Sequence, residues 1–404
     1  MTLAYDNENA VGPSMPSRIP LTPSLRVSSI RLRSRRSPGT LLDARSWLLT
    51  NSARCALALA LEQLGIGPGD EVLIPAYHCS ALSGPVIAAG AVPVFYRLTA
   101  QLDADLESVR SLTGARTRCL IVVHFFGFPR QLDGMAEHCK QHRLLLIEDC
   151  AHAFYLPRGE LRVVGQADVA IGSLMKFLPV FDGGCLVSDT RTLHVPALAR
   201  KGILFELKAL IHVVERALSH VAPRFSAIAF RGLSSLVRMA GSASPAVRDR
   251  IRSSSPDAVY GDLSFDPSWT HVQPSRISST VLNFTDHDQV VARRRAIYGR
   301  YLHAFGELSG GSPLYADLPS DVVPYVFPLL LTRPEWSFDA LWSAGVPMFR
   351  WEEVAVESCP VTRNYSARLV QLPCHQSLTD PEVSDLILRV RTVLGAEQPP
   401  DIGP

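Results

Sequence analysis

Between Asn51 and Ser188, short apolar runs that read as strands alternate with stretches that carry helix signals, and this alternation restricts the possible folds more than any other feature. The strand runs are Glu71–Pro75, Val92–Tyr96, Cys119–His124, a run ending at Asp149, Ala167–Ser173 and Cys185–Ser188. Ser52 opens a helix expected to continue to Gly65, and further helices are expected near Ser80–Ala89 and Gln131–His142. Such a chain folds as α/β, with a mostly parallel sheet wrapped by helices and ligands bound outside the carboxyl ends of the strands. At 404 residues, 47% of them apolar, there is material for this sheet and for a second unit.

Two phrases at strand ends carry the chemistry: Leu146-Ile147-Glu148-Asp149-Cys150-Ala151-His152, and Gly172-Ser173-Leu174-Met175-Lys176, which runs on to Asp182-Gly183-Gly184. An aspartate at one strand end and a lysine just beyond another are what pyridoxal 5'-phosphate requires. The lysine amine holds the cofactor's aldehyde, and an ionised carboxylate keeps the ring nitrogen protonated. The chain has only four lysines, Lys140, Lys176, Lys201 and Lys208. Lys140 lies in a polar run, and Lys201 and Lys208 lie in an amphipathic segment away from any strand end, so Lys176 and Asp149 are the expected catalytic pair. Taken singly, each also reads blandly, the aspartate as a helix cap and the lysine as a solvated charge.

Five phrases in order make the chain similar to the DegT/StrS type of aminotransferases. They are Asn51-Ser52-Ala53-Arg54, Gly67 to Pro75, Val123-His124-Phe125-Phe126-Gly127, the two central phrases counted together, and Leu372 to Asp380. The resemblance implies a fold type I pyridoxal-phosphate-dependent transferase, with a mostly parallel seven-stranded sheet in a large domain and a small C-terminal α/β domain. It further implies amination of a keto substrate, most often a nucleotide-linked keto sugar, by an amino acid donor such as glutamate, in a homodimer. Carried over by position, the turn of Ser52, Ala53 and Arg54 holds the cofactor phosphate, where the free amides of a helix N-terminus attract an anion. Ser173 adds a hydroxyl, and His152 sits by the ring's phenolic oxygen. Ser52 reads equally as a plain cap.

The chain also departs from the family pattern. Cys79 stands where relatives carry the aromatic that stacks on the cofactor ring, leaving Tyr77 or His78 for that contact, with His78 preferred. Pro274 stands where relatives have an asparagine near the partner subunit's phosphate, a contact that Arg276 or Ser275 could replace. Arg350 is a candidate for a substrate carboxylate or phosphate. The lysine loop is compact, and retention of the lysine favours transamination over sugar dehydration. A lyase would keep Asp149 and Lys176 and differ in proton routing, whereas a regulatory protein on the same fold would show no spectral response to an amino donor.

The expected division is an N-terminal arm over 1–44, partly disordered and packing on a second subunit; a large domain over 45–275; and a small domain over 276–404. A helical insertion is expected at about 191–270, with helices in Ile203–Leu218 and in Phe225–Met239, the latter with Arg231 and Arg238 on its polar side. A net charge of +2 excludes an extended nucleic-acid surface. No apolar run reaches the roughly 18 residues of a membrane span. The first residues lack the order of a secretory signal, and the scattered cysteines read as reduced core thiols, so a cytoplasmic protein is expected. His138 and His142 have metal-like spacing, but without a third ligand they read as a solvated helix face, and no metal is expected.

Overall fold

The computed structural model describes residues 19–26, 31, 39–156, 165–221, 265–320, 322–351 and 359–395. Seven strands form one sheet: β1 (Ser46–Thr50), β2 (Glu71–Pro75), β3 (Val92–Tyr96), β4 (Thr117–Val123), β5 (Leu145–Cys150), β6 (Val169–Ser173) and β7 (Gly184–Ser188). Their order is β1-β7-β6-β5-β4-β2-β3. From β3 to β6 every pairing is parallel, while β7 runs antiparallel to both β6 and β1, so β7 alone is reversed. Both faces are covered, which is why β6 and β7 are buried along their whole length. The helices of this unit are α1 (Ala53–Gln63), α2 (Ser80–Ala88), α3 (Leu106–Leu112) and α4 (Asp133–His142).

The two strands expected at Glu71–Pro75 and Val92–Tyr96 form with those bounds. β1 and α3 were not anticipated. β1 is a five-residue edge strand without flanking turn signals, and α3 has seven residues, too few for a helical period to show in the sequence. Its start is fixed by Asp105, whose side chain accepts from the amides of Glu107 and Ser108. The expectation of a solvated face on α4 holds for Lys140, Gln141 and His142, which are exposed, but not for His138 and Cys139. His138 and Cys139 are each 3% exposed, and His138 Nε2 lies 2.9 Å from Thr113 Oγ1, because α4 packs this face against α3 and the sheet.

The expected helix beginning at Ile203 is α5 (Ile203–Val221), which packs Phe205 and Ala209 on Phe181 of the lysine loop. The second expected helix, Phe225–Met239, lies outside the described residues. Next come α6 (Arg276–Phe284) and α7 (His287–Phe305), followed by a four-stranded antiparallel sheet of β8 (Gly311–Pro313), β9 (Val326–Leu331), β10 (Phe349–Arg350) and β11 (Leu369–Pro373), in the order β10-β11-β9-β8. Three helices belong to this sheet: α8 (Pro334–Ser343), α9 (Pro360–Arg368) and α10 (Asp380–Leu394). α10 starts at Thr379, whose hydroxyl accepts from the Glu382 amide while the Glu382 carboxylate accepts from the Thr379 amide, a reciprocal cap.

Of the N-terminal arm, the described part 19–26 packs on its own chain. Ile19 enters the core, the Ser24 amide donates to Ser377 Oγ at 3.0 Å, and His375 Nε2 lies 2.9 Å from the Pro20 carbonyl. No helix among the described residues is long and apolar enough to cross a membrane.

One glycine locks the two halves of the site together. A Cβ on Gly184, the first residue of β7, would collide with the Ser52 carbonyl carbon and the Ala53 amide nitrogen, which are backbone atoms with no room to yield. Gly184→Ala is therefore expected to cost at least the ~1–3 kcal/mol typical of overpacking, read as a lower urea midpoint.

Candidate active site

The lysine loop spans the gap between β6 and the reversed β7. It is closed by the Leu174 amide donating to the Gly183 carbonyl at 3.0 Å and tightened by the Leu178 amide donating to Leu174 at 2.8 Å. Gly183 takes φ +128°, which a side chain would strain, and its amide donates to the Asn51 carbonyl at 2.6 Å. This ties the loop to the entrance of α1.

Lys176 emerges from this loop within electrostatic reach of Asp149, Cys79 and Arg54. Loss of solvent pushes its ammonium pKa down, opposed by Cys79 and Asp149 and reinforced by Arg54. Asp149 lies on the adjacent strand β5, paired in register with Ile171 of β6, and its Oδ1 accepts from the Ala151 amide at 2.8 Å. Burial pushes its carboxyl pKa up, and the Lys176 charge, the Ala151 amide and His124 counteract this. Behind Asp149, His124 Nε2 lies 2.8 Å from the fully buried Glu148 carboxylate.

His152 is 3% exposed and stacks on Tyr325 at 4.6 Å. Its Nδ1 accepts from the Phe126 amide at 3.2 Å, so in the neutral ring the proton sits on Nε2, which can donate. Burial, and then the Lys176 charge, push the pKa of this ring well below the ordinary histidine value and keep it neutral.

Ser52 caps α1: its Oγ accepts from the Cys55 amide at 3.3 Å. Ser173 pairs with Gly184, which abuts Ser52 and Ala53, so Ser52, Ala53, Arg54, Ser173 and Lys176 converge. Tyr77 is fully buried against Trp351, with ring centroids 5.1 Å apart, and among the described residues its hydroxyl has no hydrogen-bond partner. His78 stacks one face on Phe95 at 5.3 Å and, among the described residues, leaves Nδ1 buried without a hydrogen-bond partner.

Other expected residues are engaged elsewhere. Ser275 gives both its amide and its hydroxyl to Asp182, each at 2.7 Å. The side chain of Arg276 is exposed, and its amide donates to Glu206 of α5. Arg350 donates to the Ser366 carbonyl at 3.1 Å and lies over the Phe338 ring, on the second sheet's own helices.

Two residues escaped sequence reasoning. Asp182, which reads as a turn residue, also receives Asn51 Nδ2 at 3.0 Å and Ser278 Oγ at 2.5 Å, and so joins the entrance of α1 to the start of α6. Trp351 faces the rings of Tyr77, Phe125, Phe126 and His152, and its place beside Arg350 in a segment read as substrate-facing was the available signal.

Residues 39–204 match the model of the DegT/DnrJ/EryC1/StrS aminotransferase family. That segment holds Ser52, Ala53, Arg54, Tyr77, His78, Asp149, His152, Ser173 and Lys176, whereas Tyr325 and Trp351 lie beyond it. The chain is 34% identical over 140 residues to an L-glutamine:2-deoxy-scyllo-inosose aminotransferase of Streptomyces fradiae, a match covering 34% of this chain and 33% of the relative. It is 32% identical over 138 residues to a GDP-perosamine synthase of Vibrio cholerae, covering 33% of this chain and 38% of that one. The match thus spans well under half of each curated relative. The fold extends further: Helicobacter pylori PseC, an aminotransferase involved in the biosynthesis of pseudoaminic acid, covers 88% of both chains at TM-score 0.60 and 15% identity.

Aminotransferases of the DegT/DnrJ/EryC1/StrS family are pyridoxal-phosphate-dependent. The residues of this chain fit that group. A helix N-terminus and Arg54 suit a phosphate, Asp149 suits a ring nitrogen, and Lys176 suits an aldehyde. Among the described residues, two buried polar atoms nearby, Tyr77 Oη and His78 Nδ1, find no hydrogen-bond partner.

Proposed function

We propose that this chain is a pyridoxal-phosphate-dependent aminotransferase that moves an amino group from glutamate or its amide to a keto sugar, most often one linked to a nucleotide. The observation that carries the reading is Lys176 and Asp149 within electrostatic reach of each other, beside a neutral His152 and the start of α1. The names of the two curated relatives, one acting on an inosose and one making a GDP-sugar, support a polyhydroxylated cyclic ketone as acceptor.

Each group has a distinct task. When bound, pyridoxal phosphate supplies an aldehyde and an electron-withdrawing ring. Asp149 would hold the proton on the ring nitrogen, and Ser52, Ala53, Arg54 and Ser173 would hold the phosphate. His152, with its proton on Nε2, would donate to the phenolic oxygen, and Tyr77 or His78 would supply the ring contact. Lys176 has a depressed pKa and therefore a larger neutral fraction than an ordinary lysine. It would hold the aldehyde and, as the neutral amine, would serve as the base that takes and returns the donor's Cα proton. On this reading the protein is a cytoplasmic homodimer, and Arg276, whose side chain is exposed, is the residue assigned to the second subunit. The division into a large and a small domain falls near residue 275.

The test is the visible spectrum of the protein loaded with pyridoxal phosphate and titrated with glutamate and with glutamine. A yellow species that bleaches with one donor, and returns when a nucleotide-linked keto sugar is added, is expected. A protein that stays colourless, or whose colour ignores both donors, would overturn the reading.

A further inference from the structure

Arg294, in the middle of α7, is fully buried, yet every hydrogen bond described for its guanidinium goes to an uncharged oxygen. Nη2 donates to the carbonyls of Lys176 at 3.1 Å and Phe177 at 3.4 Å. Nη1 donates to the carbonyls of Pro324 at 3.1 Å, Tyr325 at 2.9 Å and Cys374 at 3.1 Å. Nε donates to Gln376 Oε1 at 3.1 Å, and Gln376 Nε2 in turn donates to the Phe177 carbonyl at 2.7 Å. The guanidinium carbon also lies 4.6 Å from the centre of the Phe177 ring.

Burying a cation without a carboxylate is unfavourable, and burial pushes this guanidinium down to about 10. An apolar residue would fill the volume at less cost, so the arrangement calls for a role in holding geometry. The pattern of acceptors says which geometry. One end of the fork grips the backbone of Lys176, and the other grips Tyr325, over whose ring the Lys176 ammonium lies at 5.6 Å and on which His152 stacks. A planar fork with donors fixed in direction can set two backbones against each other, which a lysine's point charge cannot do.

We propose that Arg294 is the positioning residue that sets the lysine loop against the second sheet, and so fixes the placement of the Lys176 amine relative to Asp149 and His152. This rests on the aminotransferase reading for its kinetic consequence but not for its structural one. Arg294 touches neither cofactor nor substrate, and it acts through the backbone of Lys176.

Two variants separate placement from folding. Arg294→Lys keeps the cation and loses the fork, and Gln376→Leu keeps Arg294 and removes one acceptor. In each, Lys176 is compared with Lys140 for its rate of acylation by an amine-directed reagent, mapped by mass spectrometry without cofactor. Expected is a change of about fivefold or more at Lys176 in Arg294→Lys, a smaller one in Gln376→Leu, and none at Lys140. In the loaded protein, the donor half-reaction of Arg294→Lys should slow by roughly tenfold to a hundredfold, as misplacement of a reacting group by about 1 Å does, with donor KM little changed. Unchanged Lys176 labelling in folded Arg294→Lys overturns the proposal, as does unchanged labelling in Gln376→Leu should Arg294→Lys fail to fold. If wild type shows no donor response while labelling shifts as expected, the aminotransferase reading fails and the positioning role stands.

Discussion

Replacing Lys176 by alanine is expected to abolish the donor-driven spectral change while leaving the thermal unfolding of the cofactor-free protein nearly unchanged. The second half of this expectation comes from the loop. Lys176 holds its place through its carbonyl, which accepts from Arg294, and through the Leu174, Gly183 and Asn51 contacts around it, none of which uses the amine. The first half follows from the scarcity of substitutes. Lys140, Lys201 and Lys208 are the other lysines, and the latter two lie over Trp269 and Phe181 beside α5. The half-reaction should fall by about 10⁴-fold, the upper range for a general acid–base group, because the same amine also anchors the aldehyde. Stopped-flow absorbance with glutamate or glutamine measures it; a variant that still turns over within tenfold of wild type would remove Lys176 from the mechanism.

Asp149→Asn is expected to weaken retention of pyridoxal phosphate by roughly tenfold to a hundredfold, the worth of a hydrogen bond to a charged group at ~1.5–3 kcal/mol. It should also slow the half-reaction by ~10²-fold or more, since the neutral amide no longer holds the ring cationic. The cofactor-free protein should behave in the opposite sense. Burial raises the Asp149 carboxyl pKa above its unfolded value, so the protonated side chain favours the folded state at low pH. That contribution is lost as pH climbs from the unfolded value of about 4 through the raised folded one. Without cofactor, Asp149→Asn should therefore gain stability relative to wild type as pH rises across that window, and lose the advantage once cofactor is bound. Melting curves at several pH values, with and without pyridoxal phosphate, give both signs.

The large sheet was legible because its strands are local events. Glu71–Pro75 and Val92–Tyr96 are apolar runs closed by turn residues, and they form where the pattern places them. The Asp149–Lys176 pairing was legible because lysine is so scarce here that one strand-end lysine stands out. What stayed hidden depends on contacts between distant segments. Arg294 is 118 residues from the Lys176 carbonyl it grips, and nothing in its helix distinguishes it from Arg293 or Arg295. Asp182 looked like a turn former until Asn51, Ser275 and Ser278 were seen to converge on it. β1 depends wholly on pairing with β7, and its own sequence carries little strand signal. The inward turn of His138 comes from α3, whose short sequence gave no warning that a helix would lie there.

The segment around Ser24 rests on residues 353 positions further along, at Ser377, with Arg26 reaching Glu382. During synthesis the seven-stranded sheet can assemble once residue 188 has left the ribosome, but the leading segment must wait until almost the whole chain has emerged before its seat exists. Ile19 is then exposed for most of translation, and seating its segment closes a loop of 353 residues between Ser24 and Ser377. Proteolysis of nascent or newly refolded chains should therefore clip this leading stretch long after the sheet has become resistant.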